Sequence, residues 1–469
     1  MKKFVLLLAL SFALSASAQH WQDTAKAIET LLARYHAQNP GCELAISRNG
    51  HIIFSKAWGM ADLEHQVPMT TTSITEAGSV SKQFTAAAIL LLESQGKLSL
   101  DDDVAKYIPE LPEYGQPIPL RYLMHHSSGL RDWGSIAAIA GWPRTTKTYN
   151  NYDALDIISH QHELNFTPNE TFGYSNSNYN LLAIIVERVS GMSLADFTRK
   201  YLFIPAGMTH TSWRNDHKRV VPNRAIAYAL TNNVYETNMP NEDAYGNGGL
   251  LTTAEDLLKW NAWYLGGHFG TPSLLPKQLA IDNFNNGQPN QYGAGLFLGK
   301  KHDRDYIFHD GATASYRAKL VSYPGLHLSI AWLSNTSAFD TAANIAAQVE
   351  DLFFPKPKSQ KVVATRNPNS ADSIYSPSET ELRSYIGSYY SEEAQTSFTI
   401  QLKTGRLYLY RSPQTLIPLI PTRKDQFITT GPGFGGEPGE IRFVPDKDGI
   451  FHQMLISISR ANNVIFNKS

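Results

Sequence analysis

The sequence predicts an α+β protein: an antiparallel sheet of five or more strands flanked by terminal helices, an inserted helical lobe, and a small C-terminal all-β domain. Two strand-like segments lie near the start of the chain, and three more lie between residues 306 and 334. Helical patterns precede the first pair and follow the last segment. Beyond residue 382, short alternating segments separated by turn residues indicate a barrel or a sandwich.

The composition is that of a folded protein with a large core. The chain has 469 residues, of which 42% are hydrophobic and 11% aromatic. The formal net charge is −1, and the sequence has no basic stripe with interleaved aromatic residues, so we expect no nucleic-acid partner. The single cysteine, Cys42, excludes an internal disulfide and is expected in the core.

The first residues have the pattern of a secretory signal. Lys2 and Lys3 precede an apolar run from Phe4 to Leu14, and Ala16-Ser17-Ala18 is a small-residue cleavage site before Gln19. The run is shorter than the roughly 20 residues that span a membrane, so we expect a cleaved signal and no membrane span. The sequence therefore predicts a periplasmic or extracellular protein.

The elements of the predicted hydrolase domain follow in order along the chain. Asn49-Gly50 indicates a hairpin between the first two strands, and Thr252-Thr253-Ala254-Glu255 a capping box that opens a helix. From about residue 98 to residue 166 the pattern is helical and rich in loops. The predicted elements are a helix over 23–38, strands over 42–47 and 51–58, a helix from Ser79 to a stop at Gln95-Gly96, a helix over 181–189 ended by Gly191, a helix from the capping box through Trp260, strands over 306–309, 316–323 and 326–334, and a helix over 341–354.

The domain organisation is predicted from shifts in composition. Residues 355–381 are rich in Pro, Ser, Lys and Asn and read as a linker. We therefore predict a signal peptide over 1–18, a hydrolase domain over 19–354, the linker over 355–381, and the all-β domain over 382–469.

The central candidate for chemistry is Ser79, which follows a glycine and precedes Lys82 by one helical turn. Residues three apart on a helix share a face, so Lys82 can lie beside the Ser79 hydroxyl and take its proton. The helix N-terminus adds partial positive charge where an oxyanion would form. The spacing alone is weak evidence for catalysis. Serine is also a common helix cap, and Ser94-Gln95-Gly96-Lys97 repeats the spacing by chance.

Two further motifs accompany Ser79. Tyr174-Ser175-Asn176 precedes a helix, and His309-Asp310-Gly311-Ala312 lies at a strand. Each has chance rivals, and either motif alone would be structural more often than functional. Tyr149-Asn150-Asn151 repeats the Tyr-x-Asn spacing, and His268-Phe269-Gly270 repeats the His-x-Gly spacing. Two other polar segments are read as structural: the corner His125–Gly129 as a helix end, and Lys403-Thr404-Gly405 as a hairpin turn.

The three motifs together, in this order, resemble those of the serine β-lactamase and penicillin-binding-protein superfamily. The Tyr-x-Asn motif resembles the class C branch and the D-alanyl carboxypeptidases, and the histidine of the third motif is similar to that of D-aminopeptidases. The resemblance covers roughly residues 32 to 352 and implies a β-lactamase-like fold.

The resemblance also implies roles for individual residues. Ser79 would attack the carbonyl, Lys82 and Tyr174 would carry its proton to the leaving group, and Asn176 would orient Lys82 and bind the acyl amide. His309 would assist the leaving group or bind a carboxylate, although histidine is charged only near or below about pH 6.5. Lys82 and its neighbours would favour a Tyr174 phenolate. The N–H groups of Ser79 and Ala312 would form the oxyanion hole. No role is assigned to Asp310, and neither a metal nor a cofactor is expected.

The predicted function is that of a secreted serine hydrolase. Peptidase activity on peptides with D-residues or on cell-wall peptides ranks first, carboxylesterase activity second and weak β-lactamase activity third, because one apparatus serves all these acyl transfers. The expected partner is a small-molecule or peptide substrate, with peptidoglycan as one candidate. A non-catalytic binder of cell-wall peptide is the alternative from another class.

Overall fold

The computed structural model of this chain describes residues 21–144, 146–270, 272–301, 303–339, 344–354, 375–411, 415–429 and 433–469. The predicted signal peptide, residues 341–343 of the predicted closing helix and residues 355–374 of the predicted linker lie outside the described residues. The helices are α1 (21–32), α2 (Lys82–Ser94), α3 (Leu120–Met124), α4 (Trp133–Ala140), α5 (Asn151–Ser159), α6 (Asn176–Ser190), α7 (Leu194–Thr198), α8 (Ala254–Leu265), α9 (Leu275–Gln278), α10 (Asn344–Asp351) and α11 (Glu379–Ser384). The strands are β1 (Cys42–Arg48), β2 (His51–Trp58), β3 (Met60–Asp62), β4 (Val67–Pro68), β5 (Thr75–Glu76), β6 (Ser212–Trp213), β7 (Tyr228–Thr231), β8 (Val234–Thr237), β9 (Leu250–Thr252), β10 (Phe297–Lys301), β11 (Arg304–Thr313), β12 (Tyr316–Tyr323), β13 (Leu328–Ser334), β14 (Gly387–Ser391), β15 (Thr396–Lys403), β16 (Arg406–Arg411), β17 (Thr415–Arg423), β18 (Gln426–Thr429), β19 (Glu440–Pro445), β20 (Phe451–Ile458) and β21 (Ala461–Lys468).

An antiparallel sheet of six strands, in the order β10-β11-β12-β13-β1-β2, organises the first part of the chain. The β1–β2 hairpin turns at Asn49 and Gly50, which both have positive φ, as the Asn-Gly pair predicts. Strand β1 pairs with β13, so the start and the end of this part of the chain meet at the middle of the sheet. The edge strand β10 was not predicted, because Phe-Leu-Gly-Lys-Lys has neither alternation nor β-branched residues.

The two faces of the sheet are covered by different helices. Ile28 and Leu32 of α1 and Val349 of α10 pack with Cys42 and Trp332 of the sheet, which confirms that terminal helices cover one face. Cys42 is fully buried, as predicted. Helix α1 ends earlier than predicted, because the chain turns there to enter β1.

The opposite face packs against α2 and α8, and α2 packs in turn against the helical lobe around α6. Helix α6 begins at Asn176, earlier than predicted, and ends before Gly191, whose φ is +70°. The predicted capping box lies one residue too early: Thr253 caps α8 by accepting from the Asp256 N–H at 3.2 Å. None of the described helices combines the length and the apolar composition needed to cross a membrane.

The C-terminal strands β14 to β21 form a closed barrel, which decides between the predicted barrel and sandwich. The alternating segments that predicted this domain were 385–390, 398–402, 407–410, 426–429, 441–444 and 454–458, so strands β17 and β21 were missed. The lysine–threonine–glycine segment lies at the β15–β16 turn, where Thr404 and Gly405 both have positive φ, so its reading as a hairpin turn is confirmed. Ile136 and Ile139 of α4 pack among the residues of the barrel core, so the barrel is docked on the helical lobe.

Candidate active site

Ser79 lies in a single tight helical turn, Gly78–Ser81, that leads into α2. Gly78 has a φ of +50°, which is the left-handed entry that a glycine before the serine permits. The Ser81 hydroxyl donates to the Gly78 carbonyl at 2.5 Å and accepts from the Leu250 N–H at 3.1 Å. The turn is therefore locked between α2 and the small sheet that contains β9.

Lys82 is fully buried and has three polar contacts within the site. Its Nζ lies 3.1 Å from the Ser79 Oγ, 3.0 Å from the Asn176 Oδ1 and 2.5 Å from the Asn247 carbonyl oxygen. Burial, with a smaller effect from the positive charge of Arg460, lowers the pKa of Lys82 well below its usual value. In the neutral amine, the two fixed acceptors take both N–H groups and the lone pair is left facing the Ser79 hydroxyl.

Tyr174 and Asn176 lie at the start of α6. The Asn176 N–H donates to the Asp132 Oδ2 at 2.7 Å, so the side chain that caps α4 also fixes the beginning of α6. The Tyr174 side chain is hydrogen-bonded to Ser79, and the Lys82 Nζ lies 4.8 Å from the centroid of the Tyr174 ring.

The expected phenolate at Tyr174 is not found. Burial raises the pKa of the Tyr174 hydroxyl above its usual value, and the hydrogen bond with Ser79 and the charge of Arg460 offset this only in part. The neutral phenol therefore dominates, and Lys82, whose pKa is lowered, is the better candidate for the base.

His309 lies in β11 with both ring nitrogens occupied. Its Nδ1 is 2.6 Å from the Asp310 carbonyl oxygen, which can only accept, so Nδ1 carries the proton and Nε2 accepts from the Tyr292 hydroxyl at 3.0 Å. Burial, followed by the charge of Lys82, lowers the pKa of His309 to about 3. The expected charge near pH 6.5 is therefore wrong, and a neutral ring cannot supply a cation to a carboxylate.

The next residues of β11 run against the Ser79 turn. A Cβ on Gly311 would lie 2.0 Å from the Ala77 carbonyl oxygen, and one on Gly78 would lie 2.6 Å from the Ala312 nitrogen. These glycines allow the backbones of Ser79 and Ala312 to approach as an oxyanion hole requires. The Asp310 carboxylate lies 3.3 Å from the Lys319 Nζ on the neighbouring strand.

A chain of buried ion pairs lies behind the Ser79 turn. Arg214 bridges Glu76, at 2.8 Å, and Glu242, at 3.3 Å, and Glu242 also binds Arg144 through two hydrogen bonds. Glu76 lies on β5, shortly before the Ser79 turn, so the chain of ion pairs connects this turn with Arg144 at the cavity. Such a chain stays favourable only because each buried charge has a partner.

Ser79, Tyr174, Asn176 and His309 line one cavity of about 300 Å³, together with Ala312 and the other residues of the third motif. Sequence reasoning gave no site role to six further lining residues. The Gly-Gly-Leu-Leu-Thr segment over residues 248–252 begins with one of them, and no local pattern marked the other five. The six residues are Arg144, Asn247, Gly248, Phe297, Thr313 and Arg460.

The chance rivals lie in structural roles. Asn150 caps α5, and the Tyr149 hydroxyl donates to the Trp142 carbonyl at 2.5 Å. The polar corner His125–Gly129 follows α3, yet it also reaches the site: the His126 ring is buried and lies 4.2 Å from the Tyr174 ring, centroid to centroid. It is thus part of the wall behind Tyr174.

Among the described residues, one group of three side chains has the spacing of metal ligands: Asp62, Glu64 and His65. It begins at the last residue of β3, and the His65 Nδ1 already pairs with the Asp62 Oδ2 at 2.7 Å. None of the three lines the cavity at Ser79.

The Beta-lactamase family profile matches residues 24–352 of this chain. The chain is 30% identical over 438 residues to penicillin-binding protein 4* of Bacillus subtilis, an alignment that covers 87% of this chain and 92% of that protein. It is 27% identical to a D-aminopeptidase of Gluconobacter oxydans, over 77% of this chain and 67% of that protein. The octameric penicillin-binding protein homologue from Pyrococcus abyssi has the same fold, with a TM-score of 0.61 at 22% identity over 95% of this chain and 99% of that chain. The chain therefore belongs to the β-lactamase family, among the acyl-transfer serine hydrolases related to penicillin-binding proteins.

Proposed function

We propose that this protein is a secreted serine hydrolase that forms an acyl-enzyme on Ser79 and acts as a peptidase on peptides with D-residues or on cell-wall peptides. The observation that carries the proposal is the contact between Lys82 and Ser79. The buried amine, with a lowered pKa, lies 3.1 Å from the hydroxyl that must lose a proton. The names of the two relatives, a penicillin-binding protein and a D-aminopeptidase, support the substrate class.

Acylation follows from these positions. The Lys82 amine takes the Ser79 proton as Oγ attacks the substrate carbonyl, and the N–H groups of Ser79 and Ala312 hold the oxyanion. Loss of one such donor typically costs about 10²–10³ in rate. The proton then passes from Lys82 through the Tyr174 hydroxyl to the leaving group as the bond between the carbonyl carbon and the leaving atom breaks.

Deacylation uses the same groups in reverse. Water gives a proton through Tyr174 to Lys82 while its oxygen attacks the acyl carbon, and the Ser79 oxygen leaves with a proton. Asn176 and the Asn247 carbonyl keep the Lys82 nitrogen in place, since they are the acceptors for its two remaining N–H groups. His309 is a neutral, hydrogen-bonded wall for the leaving group.

The test is covalent labelling followed by a substrate panel. We expect a labelled penicillin or a fluorophosphonate to attach to the wild type and not to Ser79→Ala, with Ser94→Ala as the matched control that labels normally. Equal labelling of wild type and Ser79→Ala, or no labelling by any acylating probe, would support the non-catalytic binder instead. A panel of D-aminoacyl amides, D-Ala-D-Ala peptides, short esters and nitrocefin then ranks peptidase, carboxylesterase and β-lactamase activity.

Secretion is a separate part of the proposal and is supported by residues 1–18 of the sequence. We expect the mature protein in the periplasm or the medium to begin at Gln19. Mass spectrometry of the intact exported chain measures this directly. A chain that accumulates inside the cell and still starts at Met1 would contradict it.

A further inference from the structure

The cavity at Ser79 has an unbalanced set of charges. Three of its lining residues carry formal charges, namely Arg144, Asp310 and Arg460. Glu242 binds Arg144, and the Asp310 carboxylate lies beside Lys319, so these two charges are already compensated. The ion pairs among the described residues do not include Arg460. Arg460 is therefore the cation of this cavity that has a charge to offer to a ligand.

Arg460 reaches the cavity from the barrel, at the turn between β20 and β21. Its main chain, not its side chain, holds it there: the Arg460 carbonyl accepts from the Asp132 N–H at 3.0 Å and from the Asn165 Nδ2 at 3.1 Å. The Asn462 N–H donates to the Asn165 Oδ1 at 2.8 Å. Because these contacts place the turn without the guanidinium, the side chain is available to bind a substrate.

The guanidinium lies next to Tyr174, the residue that serves the leaving group in the proposed mechanism. Its central carbon is 4.8 Å from the centroid of the Tyr174 ring, and in the proposed mechanism Tyr174 carries the proton to the leaving group. A guanidinium presents a planar pair of donors that matches a carboxylate. Since His309 is neutral, it offers no cation to a carboxylate here.

We propose that Arg460 binds the carboxylate of the leaving group, so that the barrel completes the active site and selects peptides and esters whose leaving group ends in a carboxylate. This assignment rests on the proposed acyl-enzyme at Ser79. Arg460 is then a specificity residue, and its direct contact is made only with substrates that carry the negative charge.

A matched pair of thioesters tests the assignment: N-acetyl-D-alanyl thioglycolate, whose leaving group has a carboxylate, and its carboxamide, which is otherwise identical. For the wild type we expect the higher kcat/KM on the carboxylate. Arg460→Gln should lower kcat/KM for the carboxylate by about 10–100-fold, the range for loss of a charged hydrogen bond, mainly through KM. Its effect on the carboxamide should be much smaller, because only the electrostatic influence of Arg460 on Lys82 is lost there. Retained turnover of the carboxamide also shows that the variant is folded.

The controls separate charge from position. Arg460→Lys should recover part of the loss, and Arg406→Gln, an exposed arginine at the β15–β16 hairpin, should behave as wild type on both substrates. Equal losses on both thioesters in Arg460→Gln, or a wild type that prefers the carboxamide, would overturn the role of Arg460. Neither result would contradict the proposed acyl-enzyme at Ser79. Absence of turnover of both, with Ser79 unlabelled by penicillin, would overturn the proposed function and this assignment with it.

Discussion

Two regions of the molecule contribute to one cavity in opposite ways. One is the interface between the sheet and the helical lobe, here called the seam, and the other is the edge of the barrel. At the seam, Lys82 is fully buried, and its three polar contacts come from different parts of the fold. At the barrel, Arg460 is exposed and is positioned through its main chain. Groups that move protons thus depend on tight packing, whereas a group that selects substrate can be exchanged with little cost to the fold.

The two regions are coupled through electrostatics. After burial, the charge of Arg460 is the largest influence that lowers the pKa of Lys82. The barrel therefore acts on the base at the seam without touching it, in addition to any direct contact with substrate. Changes at the seam should abolish turnover, and changes at the barrel should alter its selectivity.

The largest effect is expected for Lys82→Met, which keeps the length of the side chain and removes the amine. Because Ser79 loses the group that takes its proton, kcat/KM should fall by about 10²–10⁴-fold on every substrate. Steady-state kinetics on a neutral ester measures this. Lys97→Met, at the exposed chance copy of the spacing, is the control and should be neutral. If kcat/KM of Lys82→Met stayed within a few-fold of the wild-type value, Lys82 would not be the base.

The contact between the regions is tested at the buried pair of Arg131 and Glu393, whose charged atoms lie 2.6 Å apart. Arg131→Met leaves Glu393 buried without its partner and should lower the free energy of unfolding by about 3–5 kcal/mol. Denaturant titration checks the stability. We also expect the preference for the carboxylate thioester to weaken more than turnover of the carboxamide, because the barrel carries Arg460.

The matched variant for this pair is Arg131→Met combined with Glu393→Gln. It removes the uncompensated charge and should regain much of the lost stability. Unchanged stability in Arg131→Met would mean that the barrel is held by its apolar contacts with α4 alone.

The smallest effect concerns pH and His309. Its pKa is about 3 in the folded protein and about 6.5 in an unfolded chain. As pH falls below about 6.5, the unfolded state binds a proton that the folded state does not, so the free energy of unfolding decreases by about 1.4 kcal/mol per pH unit until about pH 3. His309→Gln removes this proton uptake, so its free energy of unfolding should fall less steeply with decreasing pH, by about 1.4 kcal/mol per pH unit. Urea unfolding between pH 7 and pH 4 measures the slope.

The buried His126, whose pKa is also lowered, is present in both proteins, so the difference in slope reports on His309. Identical slopes for wild type and His309→Gln would contradict a neutral His309 ring.

The sequence by itself determined the central sheet, the helix after Ser79 and the spacing of Ser79 and Lys82, because local chemistry dictates each. Asn49-Gly50 specifies a hairpin, Gly78 permits the left-handed entry, and a separation of three places side chains on one helical face. Alternation in the C-terminal strands likewise predicted an all-β domain, though not its closure.

Only the tertiary structure decided the electrostatics and the remaining walls of the site. Whether Lys82 is neutral, Tyr174 a phenol and His309 uncharged depends on how much water the fold removes from each group, and no local pattern encodes that burial. Arg460 has no motif of its own and becomes part of the site only because the barrel docks on α4. The physical reason is that the free energy of a charge is set by its surroundings, which are assembled from distant parts of the chain.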